Sequence, residues 1–259
     1  MTTDGATQEK LDIGRVIQTT LAIVGRNFGL LAGLSGLMIV APYAVVLAVT
    51  IPFTVSLATA PFQAWASIFP LMGGLALVFA VVWAAFQAAA MQVAITDLNG
   101  GRPDFASSLS VGVRNALPVI AVVILAMLAV GAGFVFFIVP GVMIATAFIL
   151  AVPARLIEKV GVFEAFSRSR ALTRNNRWRI FGLMFVYTIT IWVLELVIAS
   201  LTGGFASTNF GLIVVRSLMN IAVSFIGGIV TTTGIATLYF ELRRIKDGVG
   251  ASELAAVFD

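Results

Sequence analysis

An all-helical membrane bundle is the fold class predicted by three observations on this chain of 259 residues. Hydrophobic residues make up 60% of it and charged residues 11%, with a mean hydropathy of +1.06. That leaves too little polar surface to cover a water-soluble globule of this size. Charge is absent over long intervals, between Arg26 and Asp97 and again from Ala116 to Ala154. The basic residues gather instead in short corners beside these intervals, as they do on the cytoplasmic side of membrane proteins. The expected architecture is a polytopic bundle of six transmembrane helices with three interfacial amphipathic helices, arranged as three hairpin repeats.

The same composition removes several function classes. There is no cysteine and no histidine, so thiolate metal sites and the commonest general base and metal ligand are missing. No phosphate-cradling loop, serine nucleophile motif or acidic metal cluster is visible. The reading is therefore non-enzymatic, with no catalytic residue, no metal and no cofactor. The net charge of +4 follows topology: cations beside apolar spans point to anionic lipid headgroups as partners, not to nucleic acid. The polar opening MTTDGATQEK lacks the pattern of a secretory signal.

Residues 1–8 read as a disordered tail. From Leu11 to Asn27, Ile13, Val16, Ile17, Thr20, Leu21 and Val24 recur at helical spacing opposite Arg15, Gln18 and Arg26, which predicts an amphipathic helix in the interface or the polar first part of the first span. The charge-free interval that follows has basic residues at both ends, so its number of crossings is even. Spans are placed near Gly29 to Leu57, kinked at Pro42 and Pro52, and near Ile68 to Thr96, with ATAPFQAWASIFP as an external loop carrying Trp65. Asn99, Gly100 and Gly101 predict a turn. Pro103 then suits the first position of a second interfacial helix, with Phe105, Leu109, Val113 and Ala116 on one face. As one helix, Ala116 to Ala154 would run about 58 Å at 1.5 Å per residue, roughly twice the hydrocarbon thickness. It is expected to fold back at Gly131, Gly133 or Pro140-Gly141 through a tight external turn.

Pro153 to Arg179 is the one long polar interval between apolar blocks. It holds Arg155, Lys159, Arg168, Arg170, Arg174, Arg177 and Arg179 against Glu158 and Glu164, a net charge of 7 − 2 = +5. A third interfacial helix is expected here, with Val162, Phe163, Ala165, Phe166 and Leu172 on one side. Two more spans follow, near Ile180 to Leu201 and Gly211 to Phe240, before the basic ELRRIKDG. The map places both termini in the cytoplasm, with every basic residue except Arg216 on that side. VGRNFGLL, VGVRNALPVI and LTRNNRWRIFGL, each a basic and asparagine corner before a hairpin, suggest parallel repeats over about 9–97, 98–157 and 158–248. Together they form a single membrane domain, 9–248, with 249–259 as a cytoplasmic tail.

Pro140-Gly141, the run ending in PARLIEKVGVFEAFSRSRALTRNNRWRIFG and the closing LYFELRRIKDG resemble the membrane domain associated with glycerophosphoryl diester phosphodiesterases and the related YciC-like bacterial inner-membrane proteins. The pattern Glu158, Gly161, Glu164-Ala165 and Ser169 is its most specific part. In members that carry the enzyme, the resemblance implies a separate soluble barrel of roughly 200 or more residues with a catalytic histidine pair, and this chain has no histidine. What the resemblance implies here is a multi-pass protein of the bacterial cytoplasmic (inner) membrane with a role in lipid or envelope homeostasis.

Two candidate sites follow from the residues. The seven cations from Arg155 to Arg179 are candidates for holding lipid headgroups. Glu195 and Arg216 are the ionisable residues inside predicted spans, where a charge is expensive and functional by default; they either pair or leave Arg216 to reach the outer interface. The leading reading is a lipid-interacting membrane protein. The alternatives are a small-solute or lipid transporter, for which Gln87, Gln92, Glu195 and Asn220 are the available interior polar groups, and an accessory subunit of a membrane complex. The glycine pairs are expected to serve close helix packing.

Overall fold

The computed structural model describes residues 11–40, 62–204 and 210–248. Both tails, and the kinks expected at Pro42 and Pro52, lie outside them. Every regular element among the described residues is helical. Helix α1 is Ile13–Arg26, and α2 is Phe28–Ser35, continued by one π-helical turn over Gly36–Val40. Then come α3 (Phe62–Leu98), α4 (Phe105–Phe136), α5 (Ile138–Phe148), α6 (Ala151–Glu158), α7 (Val162–Thr173), α8 (Arg177–Leu201) and α9 (Phe210–Asp247). Among the described residues, five stretches are long and apolar enough to cross a membrane: Gly73–Leu98, Phe105–Phe136, Ile138–Glu158, Arg177–Leu201 and Val214–Asp247.

Local chemistry sets the boundaries. Asp12 caps α1 by accepting the Arg15 N–H at 3.1 Å, and Asp104 caps α4 by accepting the Ser107 N–H at 2.9 Å. Gly100 turns the chain after α3 with φ +75°, a conformation open to glycine at no steric cost. Pro103 accordingly precedes the cap, where it was expected to open the helix. The second interfacial helix expected there is the first part of α4, which runs unbroken from Phe105 through Pro118 to Phe136. Likewise Phe62 to Pro70, expected in a loop, are the first turns of α3, and ELRRIKD continues α9.

The fold-back of the long apolar run comes at Phe137, in extended conformation with φ −165° and ψ 160°. The flanking glycines permit close approach instead of the bend. A Cβ on Gly133 would lie 2.9 Å from the Gly141 Cα, and one on Gly141 would lie 2.5 Å from the Phe134 ring. Pro140 occupies the third position of α5, where a missing N–H costs nothing.

Burial is concentrated at the end of the bundle that carries the charges. Between Ala84 and Ile95 of α3 only Gln87 and Gln92 are less than fully buried. The run AAFQAAAMQVAI is small enough to be surrounded on all sides, by α1, α2, α4 and α9. One core cluster joins Leu11, Ile23, Met91, Leu150, Leu172 and Tyr239; a second joins Leu31, Leu34, Phe86, Val93 and Ile229. The far halves of α4, α8 and α9 are largely exposed, as lipid-facing helices are.

The buried face of α1 is partly rotated from the one expected. Val16, Thr20 and Ile23 are buried, while Ile17 and Leu21 are exposed, because the helix packs on α9, with Thr20 beside Gly234. In α7 the buried positions are Ala165, Ser169, Leu172 and Thr173, and Phe163 points outward. Ser169 serves the break between α5 and α6. Its hydroxyl donates to the Ala147 carbonyl at 2.7 Å and accepts the Leu150 N–H at 3.1 Å, so both groups freed by the break are satisfied inside the core.

Candidate functional site

The charged end of the bundle is a polar layer with two parts, an internal set of ion pairs and an outward cationic surface. The ion pairs join elements far apart in sequence. Arg15 meets Glu241 at 3.0 Å, and Arg244 meets the same carboxylate at 3.1 Å. Arg26 meets Asp97 at 2.6 Å, and Asn27 donates to the other Asp97 oxygen at 2.9 Å. Hydrogen bonding to Asp97, and then its charge, hold the Arg26 guanidinium above its usual pKa. The start of α1 is tied to the α7–α8 corner: the Leu11 N–H donates to Asn176 Oδ1 at 3.3 Å, and the Leu11 carbonyl accepts from Arg179.

The densest node lies where α6, α7 and α9 meet. Arg168 donates through Nε to both oxygens of Glu158, at 2.7 and 3.0 Å, and through its terminal nitrogens to Asp247. Tyr239 donates its hydroxyl to Glu158 at 2.6 Å, and Arg243 Nε lies 3.6 Å from Asp247. Burial works against the Arg168 charge, but its bonds to Asp247 and Glu158 outweigh that and raise its pKa. With two carboxylates and two guanidiniums the node is neutral overall.

The sequence-predicted headgroup residues therefore divide by surroundings. Arg168 is engaged by carboxylates and Arg179 by the Leu11 carbonyl. Arg155 and Arg177 are half-buried, their Nε atoms enclosed without a hydrogen-bond partner among the described residues. Lys159, Arg170 and Arg174 are exposed, with Arg170 lying 6.0 Å from the centre of the Phe148 ring. Lys159, at φ +51°, ends α6, and Asn175, at φ +72°, turns the chain from α7 into α8. Four residues along the chain from Lys159 and from Arg174 are two large aromatics, Phe163 and Trp178, 80% and 84% exposed. Trp178 leads a ladder along α8, with ring centroids 6.0 Å to Phe181 and 5.9 Å from there to Phe185.

Glu195 and Arg216 lie at the opposite end. Glu195 is exposed on α8; Arg216 is half-buried near the start of α9 and donates to the Gly204 carbonyl at 3.3 Å. Of the interior polar groups, Gln92 donates to Thr96 at 3.4 Å. Gln87 Oε1 and Asn220 Oδ1 are enclosed with no hydrogen-bond partner among the described residues, as are the hydroxyls of Ser35, Ser108 and Thr233.

Sequence reasoning did not find Asp97, Tyr239, Glu241, Arg243 and Asp247 as members of this layer, although the acids carried a signal. Asp97, Glu158 and Asp247 fall in the last turns of helices, at the negative end of the helix dipole. An acid there is unfavourable unless a cation holds it, and each has one.

Residues 125–242 match the family model described as Domain of unknown function (DUF7847). No curated protein and no solved structure matches the chain. The matched segment begins within α4 and runs to Leu242. It includes Glu158, Arg168 and Tyr239 of the node and stops short of Asp247.

Proposed function

We propose that this is a non-enzymatic, six-span integral protein of a bacterial inner membrane whose charged face holds anionic lipid headgroups, in the service of membrane or envelope homeostasis. The observation that carries the reading is that Lys159, Arg170 and Arg174 and the large aromatics Phe163 and Trp178 are all exposed within one short interval of the chain. Aromatics at the headgroup level with cations next to them are the composition of a membrane interface. The same composition on a water-exposed face would leave large apolar rings wet with nothing to gain. The resemblance to the phosphodiesterase-associated membrane domain enters as support for a lipid setting; its pattern residues Glu158 and Ser169 have structural work in this chain, in the node and at the α5–α6 break.

The binding test is lipid selectivity. Purified protein in nanodiscs would be compared as phosphatidylglycerol replaces phosphatidylcholine, with lipid retention read by native mass spectrometry. Each basic residue near an anionic surface contributes about 1 kcal/mol at most. Changing Lys159, Arg170 and Arg174 together to Gln is therefore expected to lower the preference for phosphatidylglycerol by up to about a hundredfold, and high salt should reproduce the change. An unchanged preference would refute the reading.

In this proposal the hairpins form three parallel repeats, both termini are cytoplasmic, and Glu195 and Arg216 form a charge pair toward the far interface. Five described crossings are an odd number, and α1 shares ion pairs with the charged ends of α3 and α9, which supports one further crossing before α3. Reporter fusions after Pro61, Gly133 and Gly203 are expected to score external, and those after Gly101, Gly161 and Gly248 internal. One inversion among them would overturn the map.

A second reading, a transporter for a small solute or lipid, is favoured by the enclosed polar atoms of Ser35, Gln87, Ser108, Asn220 and Thr233 that have no partner among the described residues. Such groups are costly unless a water or ligand meets them.

A further inference from the structure

The α4–α5 hairpin has a tip without a polar side chain. From Gly131 to Ala145 the sequence is GAGFVFFIVPGVMIA. At its turn five consecutive residues are largely uncovered, from Val139 at 66% to Val135 at 84%, with Phe136, Phe137 and Ile138 between them. The connection from α8 to α9 differs, since its sequence TGGFASTNF supplies hydroxyls and an amide.

Depth locates the tip. Phe137 lies 23 residues beyond Arg114 along α4 and 18 residues before Arg155 along α5 and α6, about 35 and 27 Å at 1.5 Å per residue. The hydrocarbon core of a bilayer is about 30 Å thick, so the turn reaches its far edge and stops there. The backbone is economical at this point. Phe137 alone leaves helical geometry, yet its N–H still donates to the Gly133 carbonyl at 3.1 Å and its carbonyl accepts the Gly141 N–H at 3.3 Å. Pro140 has no N–H to satisfy, so of the first four positions of α5 only Ile138 and Val139 present donors without a helical acceptor. A turn in water has no need of such economy, because water satisfies every group. A turn at the edge of lipid does need it.

We propose that the tip of the α4–α5 hairpin is a lipid-anchoring surface: Val135, Phe136, Phe137, Ile138 and Val139 insert among the acyl chains just below the headgroups of the far leaflet. The hairpin crosses the hydrocarbon but does not emerge into water. Its occupant is lipid, because its depth is close to the hydrocarbon thickness and five consecutive side chains at the turn are apolar and uncovered. The anchor is separate from the cationic face, and neither depends on the other.

The native chain has no cysteine, so Phe137→Cys and, for comparison, Ser207→Cys can be made singly without altering the background. Val135→Cys gives an independent reading should the Phe137 variant fail to fold. Each variant would be labelled with an environment-sensitive nitrobenzoxadiazole dye in detergent, reconstituted into phosphatidylglycerol–phosphatidylethanolamine vesicles, and quenched with nitroxide lipids. A parallel sample would be treated, unlabelled, with a membrane-impermeant maleimide. The expected result at position 137 or 135 is strong quenching by a nitroxide high on the acyl chain and maleimide labelling at least tenfold slower than at position 207. Labelling as fast as at position 207 would show a wet turn and overturn the proposal. Slow labelling without acyl-chain quenching would show that protein covers the tip, and would overturn it equally.

Discussion

Gly112→Ala is expected to destabilise the protein although alanine is the better helix former. Gly112 of α4 sits against α3, where an added Cβ would lie 2.5 Å from the Ala85 carbonyl oxygen and 2.9 Å from the Ala89 Cβ. The first obstacle is backbone, which cannot swing aside as a side chain can. The two helices must separate, and the all-round packing of α3 between Ala84 and Ile95 loosens with them. Overpacking of this kind costs about 1 to 3 kcal/mol or more, against a gain of about 1 kcal/mol from helix propensity. Thermal unfolding in detergent should show a lower midpoint for Gly112→Ala and a still lower one for Gly112→Leu. Gly131→Ala in the same helix, with no atom within 4 Å of the added carbon, should be neutral or slightly stabilising. A Gly112→Ala variant as stable as the parent would show that α3 and α4 do not meet as described.

Arg168→Met is expected to cost about 2 kcal/mol. It leaves Glu158 and Asp247 at helix C-termini without the guanidinium that joins them. Breaking a fully buried pair costs about 3 to 5 kcal/mol, and the figure is reduced here because the side chains keep 27%, 16% and 25% of their exposure for Arg168, Glu158 and Asp247. Arg168→Lys should recover only part of the loss, since an ammonium cannot offer a fork to two carboxylates. Glu158→Gln should also destabilise, and the double variant Glu158→Gln with Arg168→Met should lose less than the sum of the singles. Strict additivity in chemical or thermal unfolding would mean that the two side chains do not act as a unit.

The class of fold was legible in composition, because charge-free runs of membrane length leave no soluble alternative. Helix ends marked by Asp12, Asp104 and Gly100 were legible in part, as caps and turns are local. The bend at Phe137 was not: a phenylalanine carries no turn signal, and the glycines and proline around it serve packing and N–H economy instead. The buried face of α1 was legible in part. Periodicity gives a stripe but not its partner: Val16 and Thr20 of the expected stripe are buried, while packing against α9 leaves Ile17 and Leu21 exposed and buries Ile23 instead. Of the candidate site, the cations were visible because they crowd one interval. Their division into engaged and outward residues was not, since Asp247 and Leu11 come from opposite ends of the chain.

The uneven burial along the bundle gives the molecule a mechanical gradient. Ion pairs and the core lock the charged end, while the far halves of α4, α8 and α9 touch few protein neighbours. Local opening free energies follow such packing, so amide exchange should be slowest near Met91 and Tyr239 and quicken toward Leu196. A bilayer that thins or thickens must be met by tilt or by adjustment of the spanning segments. In this protein the adjustment falls to the loosely packed far ends, so membrane thickness can change without straining the charged base.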